Sequence, residues 1–246
     1  MTALTTMTRM EAKLFVRDPV NLFLVLALPV LLVVGFGLIP GFGEPDDFFG
    51  GQSGTEFIAS LGIGVVLAIL GLSILPTVLG TYRERGILKR LHASPVTPAT
   101  LLVAQFAVIG VATLVSVVLT VGVGMAAFGL ALPRNLPFFL LAVLLGAAAL
   151  LSVGLLVAAV TPSAKAATVI GMLAFFPSMF LGGVYVPRDA FPGGLQAVSD
   201  VTPLGAAIEA VRDSWQGDTP RLVHLVTMVA WAVVAGALAA RTFRWE

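Results

Sequence analysis

Six stretches of this chain run for about twenty residues or more without a charged side chain, which leaves few folds open to it. They lie at 19–43, 57–82, 91–133, 135–164, 166–187 and 222–240. A helix crossing a hydrocarbon core of about 30 Å needs roughly 20 apolar residues, and its backbone must satisfy its own hydrogen bonds. Composition points the same way. The 246 residues are 58% hydrophobic and 11% charged, against about 45–50% and about 25% in soluble domains, and mean hydropathy is +1.03. The expected fold is an all-α membrane protein of six transmembrane helices. Trimmed at turn residues, the spans fall near Val20–Ile39, Phe57–Gly80, Thr100–Leu130, Pro137–Val160, Ala166–Val186 and Leu222–Ala240. Pro29, Pro76 and Pro177 lie inside spans and are expected to bend them.

The cations orient the bundle, because basic residues collect on the cytoplasmic side. With both termini in the cytosol, ten of the 14 basic residues lie inside: Arg9, Lys13, Arg17, Arg83, Arg85, Lys89, Arg90, Lys165, Arg241 and Arg244. Arg134, Arg188, Arg212 and Arg221 lie outside, together with nine of the 13 acidic residues. The first apolar run begins at Val20 with no small-residue cleavage site behind it, so no cleaved leader is expected. The net charge of +1 gives no reason to expect nucleic acid, and the absence of cysteine excludes disulfides.

Residues 1–18 hold a predicted surface helix. Met7, Met10 and Leu14 share one face and Arg9, Lys13 and Arg17 another, which suits the headgroup boundary. Thr8 and Glu11 match a capping box, and Pro19 ends the pattern. The Gly- and Asp-rich loop 40–56 carries Glu44, Asp46, Asp47 and Glu56, read as a solvated outer loop because no metal-ligand spacing fits. The loop 81–98 is denser in charge, with Arg83, Glu84, Arg85, Lys89 and Arg90. Gly86 divides it, and Ile87, Leu88 and Leu91 give a short helix an apolar edge beside its cations. A partner protein's groove binds such a surface. Ser94-Pro95 and Thr97-Pro98 close the segment. Spans three and four carry Gly110, Gly122, Gly124, Gly146 and Gly154, which let helices pack closely in lipid.

The segment 187–221 reads as an outer, re-entrant piece before the last span. Pro187 and Phe191-Pro192-Gly193-Gly194 make turns, Thr202 is the expected N-cap and Pro203 the first helical residue. Leu204, Ile208, Val211 and Trp215 recur at helical spacing, with Glu209, Arg212, Asp213 and Gln216 off that face. Two readings stand for this short outer-face helix: an interfacial anchor, or the closure of an outer gate with Pro187, Pro203 and Arg212.

None of the three lysines follows a glycine, so no phosphate-binding loop is present and no catalytic residue is assigned. His92 and His224 fall on opposite sides of the membrane, both expected at interfaces, so no metal site is expected. No span carries a charge at its centre, which disfavours an ion-coupled carrier.

Two stretches resemble one family. Glu84-Arg85-Gly86 with Leu91 and Pro95, within 84–105, is similar to the Glu-Arg…Gly…Leu-x-x-x-Pro element that follows the second span in permease subunits of type-2 ATP-binding-cassette exporters. That group includes daunorubicin-resistance-type, lipo-oligosaccharide and polysaccharide export permeases. Residues 175–217 resemble the same family's fifth-span end, outer proline turns and Pro-Leu…Arg…Gly hairpin, here Pro203-Leu204, Arg212 and Gly217. The resemblance covers essentially the whole chain, 1–246, as one permease domain in the plasma (inner) membrane. It implies a separate nucleotide-binding subunit that holds ATP and Mg, a second permease copy (identical or a paralogue), and no cofactor on this chain. Glu84, Arg85, Gly86, Leu88, Lys89, Arg90 and Leu91 would couple to the ATPase, supported by the surface helix around Arg9, Lys13 and Arg17. Cargo, expected to be a drug, lipid or glycolipid, would pass along the second and fifth spans. A non-transporting anchor for an ATPase and an ATP-independent channel or carrier are the competing readings.

Overall fold

In a computed structural model, which describes residues 3–92 and 98–242 and only the backbone of Lys89, Leu91, His92, Pro98 and Ala99, every apolar run forms a helix. The elements are α1 (Ala3–Val16), α2 (Pro19–Gly37), α3 (Gly54–Glu84), α4 (Ile87–His92), α5 (Pro98–Phe128), α6 (Leu136–Val160), α7 (Ala164–Leu181), α8 (Gly193–Asp200), α9 (Pro203–Gln216) and α10 (Leu222–Thr242). Among the described residues, α2, α3, α5, α6, α7 and α10 are long and apolar enough to cross a membrane. Helix starts follow local chemistry. Asp18 caps α2 by accepting from Val20 and Asn21 N–H, with Pro19 in the first turn. Ser53 and Glu56 form a full capping box on α3, and Thr202 caps α9 ahead of Pro203.

The capping box expected at Thr8 and Glu11 does not form. Helix α1 starts at Ala3, so Thr8 is interior, and Glu11 turns inward. Pro19 begins the next helix. The fifth span ends at Leu181, short of the expected Val186, because Gly182 and Gly183 turn the chain.

Prolines 29 and 76 each follow a wide, π-helical segment, Phe23–Ala27 and Ile69–Ile74. Proline cannot donate to the carbonyl four residues back, so Val25 and Leu72 each hold a freed acceptor inside the apolar bundle. Ser116 Oγ, on α5, donates to Val25 O at 2.6 Å. Leu72 O instead lies against Gly171 of α7, only 2.2 Å from where a β-carbon there would stand. Gly154 of α6 meets Gly71 O still more closely. These glycines let two helix backbones approach the widened turn.

Helix α3 is the axis of the bundle. Of its most apolar stretch 89% is buried, against 17% in α2 and in α7. Helices α2, α5, α6 and α7 surround it, α10 lies against α6, and α1 lies on α5. The second span is thus mostly enclosed by its own bundle. The fifth span keeps a broad apolar face exposed, including Leu173 and Phe176.

Candidate functional site

At the end of α3, Arg83 and Glu84 clamp the turn between α6 and α7. Arg83 Nη1 donates to Ala158 O at 2.9 Å and to Thr161 O, placing a cation on the last carbonyls of α6. The Glu84 carboxylate accepts from Ala164 N at 2.9 Å, placing an anion on the first turn of α7. Both complement helix-end partial charges. Gly80 completes the contact: a β-carbon there would sit 2.8 Å from Ala164 Cα.

The chain then bends. Arg85 ends α3, and Gly86 takes φ +65°, the left-handed region that favours glycine, in otherwise open space. The short helix α4 follows, as expected. Leu88 is not part of its outward face, being 1% exposed and packed into the core. Arg85 and Arg90 are exposed. The side chains of Lys89 and Leu91, and the Ser94-Pro95 and Thr97 stop signals, lie outside the described residues, as do Arg244 and Glu246.

Helix α1 braces this elbow. Glu11 Oε2 accepts from Tyr82 Oη at 2.8 Å and from Gln105 Nε2 at 2.5 Å, tying α1 to α3 and α5. Burial pushes the Glu11 carboxyl above its ordinary range, and the Tyr82 hydrogen bond only partly opposes this. Arg9 and Lys13 are exposed along the same helix, and Arg17 is exposed in the turn just after it.

The opposite end of the bundle holds a helical hairpin. Helix α8 descends, the chain turns at Val201-Thr202, and α9 returns. Trp231, midway along α10, donates its indole N–H to Val201 O at 3.0 Å, and Arg221 and His224 at the start of α10 meet Asp200, so the hairpin tip lies against the first half of that span. The expected amphipathic helix forms, with Leu204, Ile208, Val211 and Trp215 buried and Asp213 and Gln216 partly exposed, but its polar side is not wholly solvated. Glu209 and Arg212 are buried too, though less completely than Leu204 and Ile208, because α9 inserts between α3, α6 and α10. Ile208 packs on Gly64 and Ala207 on Gly146.

The buried charges neutralise one another. Arg188 pairs with Asp200, and lies 3.8 Å from Glu209, which pairs with Arg212 at 2.8 Å. Arg212 also reaches Asp189 and Phe49 O, both at 3.3 Å, and stands 5.0 Å over the Phe57 ring. His224, expected at an interface, is 1% exposed and 3.1 Å from Asp200. Burial pushes the Asp200 carboxyl up, but the His224 hydrogen bond and the Arg188 charge outweigh it and hold it below the ordinary carboxylate range. Of the three gate candidates, Arg212 lies inside this network, Pro203 starts α9, and Pro187 precedes a single 3-10 turn, Arg188–Ala190.

Arg83, Glu11, Asp200 and His224 were not singled out from the sequence for these roles. A signal existed for Arg83, which stands beside Glu84 with opposite charge at a span end. None existed for Asp200 with His224, whose pairing depends on how the hairpin docks. In the loop 40–56, Glu44, Asp46 and Asp47 are exposed, and Asp46 caps a 3-10 turn.

Six apolar spans with a polar elbow at one end and an inserted, charge-paired hairpin at the other define a multi-pass membrane protein. A sequence profile of the ABC-2 type transporter family matches residues 2–215, and the chain belongs to that family. It is the transmembrane, non-catalytic permease part of an ABC-type transporter, of a kind that generally works with an ATPase subunit. No curated protein matches it significantly.

Proposed function

We propose that this chain is the membrane half of an ATP-driven exporter in the plasma membrane, paired with a second permease copy and docked on a separate nucleotide-binding subunit through α4. The whole chain would act as one permease domain. The observation that carries the reading is the elbow: a short helix rooted by Leu88, set off by Gly86, and presenting Arg85 and Arg90 outward. The distribution of cations supports placing this end in the cytosol.

The chain's own part in the cycle follows from the clamp. A partner that closes on ATP and Mg pushes α4. Arg83 and Glu84 pass that displacement to the α6–α7 turn, so α6 and α7 move with the end of α3 rather than independently. At the far end the α8–α9 hairpin moves together with the start of α10 and the loop 40–56, since its charges pair with Arg221, His224 and Phe49 O. The cargo would be a drug, lipid or glycolipid, released outward.

The test is a double charge reversal, Arg85→Glu with Arg90→Glu, co-reconstituted with the ATPase subunit. The variant should insert and stay folded, yet lose about tenfold or more of vanadate-sensitive efflux, since opposed rim charges weaken docking. Unchanged efflux would remove the elbow from the coupling path. Efflux by the permease with no ATPase subunit present would overturn the exporter reading itself.

A further inference from the structure

The structure holds a cavity of about 500 Å³ between α1, the start of α2, and the ends of α3, α5 and α7 nearest the elbow. We propose that it binds an amphiphile with a cationic head, with the Glu11 carboxylate as the counter-ion. As a statement about cargo, this rests on the exporter reading above.

Size and lining both suit a small amphiphile. Ligand sites fall at about 300–1,000 Å³ and are mostly apolar with a few convergent polar groups. Here Phe15, Leu24, Val78 and Ile109 supply apolar walls. Among the described residues the charges in the lining are of one sign: two carboxylates, Glu11 and Asp18, and no Lys, Arg or His. An anionic head would meet repulsion and no compensating donor cation.

The polar groups of the lining are mostly engaged already. Thr77 and Thr168 hydroxyls bond each other at 3.0 Å, and Thr81 Oγ1 donates to Thr77 O. Both Asp18 oxygens are used, Oδ1 on the first turn of α2 and Oδ2 on Asn21. Glu11 differs. Its two hydrogen bonds, from Tyr82 and Gln105, land on the same oxygen, Oε2, and Oε1 has no partner among the described residues. The side chain is 6% exposed, and no cation among the described residues pairs with it. A buried carboxylate held only by neutral donors is poorly stabilised in its charged form, and a cation beside it would favour that form. A cationic head in the cavity would supply that cation while its tail lies along the apolar walls. The elevated proton affinity of Glu11 agrees, since burial without an ion pair disfavours the charged form.

The experiment compares two ions of similar size and opposite charge, tetraphenylphosphonium and tetraphenylborate. Binding to the purified full chain in neutral detergent is followed by equilibrium dialysis at about pH 7. The wild type should bind the phosphonium about tenfold or more tightly than the borate. Glu11→Gln keeps the side-chain shape and removes the charge. It should weaken phosphonium binding about tenfold or more and leave borate binding unchanged or stronger. Val78→Trp, at a partly buried wall position, narrows the cavity and keeps Glu11; it should abolish specific phosphonium binding, and it decides the matter if Glu11→Gln fails to fold.

Equal affinity for the two ions, preference for borate, or an unchanged Glu11→Gln variant would overturn the proposal. The Arg85→Glu/Arg90→Glu chain separates the two claims, because it should lose ATP-driven efflux and keep phosphonium binding. Efflux of some other cargo with no phosphonium binding would sink the site and leave the exporter. Selective binding with no response to any ATPase subunit would do the reverse.

Discussion

Arg83 and Glu84 stand next to each other and do opposite jobs on neighbouring helix ends. The guanidinium serves carbonyls at the end of α6, and the carboxylate serves an amide at the start of α7. Hydrogen bonds to charged groups contribute about 1.5–3 kcal/mol each. Arg83→Ala should therefore lower the thermal unfolding midpoint clearly in detergent, with Arg83→Lys recovering part of the loss. An unaltered midpoint in Arg83→Ala would mean the clamp carries no load. Glu84 was expected from the sequence to face the ATPase subunit. Its carboxylate is exposed but turned to Ala164, so a charge reversal there removes a helix cap as well as any partner contact.

At the scale of elements, the widened turn in α3 sets where glycine is required. Gly154→Val would drive a β-carbon to 1.8 Å from Gly71 O, whereas Gly110 has nothing within 4 Å of that position. Gly154→Val should fail to accumulate as a monodisperse protein, and Gly110→Val should accumulate normally. Fluorescence-detected size exclusion reads both. The sequence marked these glycines alike as packing residues. Which of them touches a backbone depends on helix rotation, and rotation is set by neighbours rather than by composition.

The hairpin is an element whose stability should depend on acid. Asp200 titrates below the ordinary carboxylate range in the folded chain. The native state thus binds its proton less readily than the unfolded state, and the stabilisation is complete above the ordinary range. It should be lost as pH falls through the lowered value, and Asp200→Asn should flatten that acid limb of the thermal stability profile. His224→Ala removes one of Asp200's hydrogen bonds and leaves its pairing with Arg188, and should destabilise by about 1–3 kcal/mol at neutral pH.

On the whole-molecule scale, topology is open to a direct test because the chain has no cysteine. A single Arg85→Cys should react with an impermeant maleimide only from the cytoplasmic side, and Asp46→Cys only from the outside. The opposite pattern would reverse the orientation and remove the elbow from any cytosolic ATPase.

What the sequence alone determined was the number and rough limits of the spans, the start of α9 at Thr202-Pro203, and the break at Gly86. These depend on local terms: the hydrophobic length needed to cross lipid, side-chain caps, and a backbone angle that favours glycine. The tertiary structure decided the rest. Only packing could turn Glu11 and Leu88 inward, sink Glu209 and Arg212 of α9 among three helices, and bring Asp200 to His224 and Arg83 to Thr161. Each of those contacts joins residues distant in the chain, and a buried charge is tolerable only where folding delivers its partner.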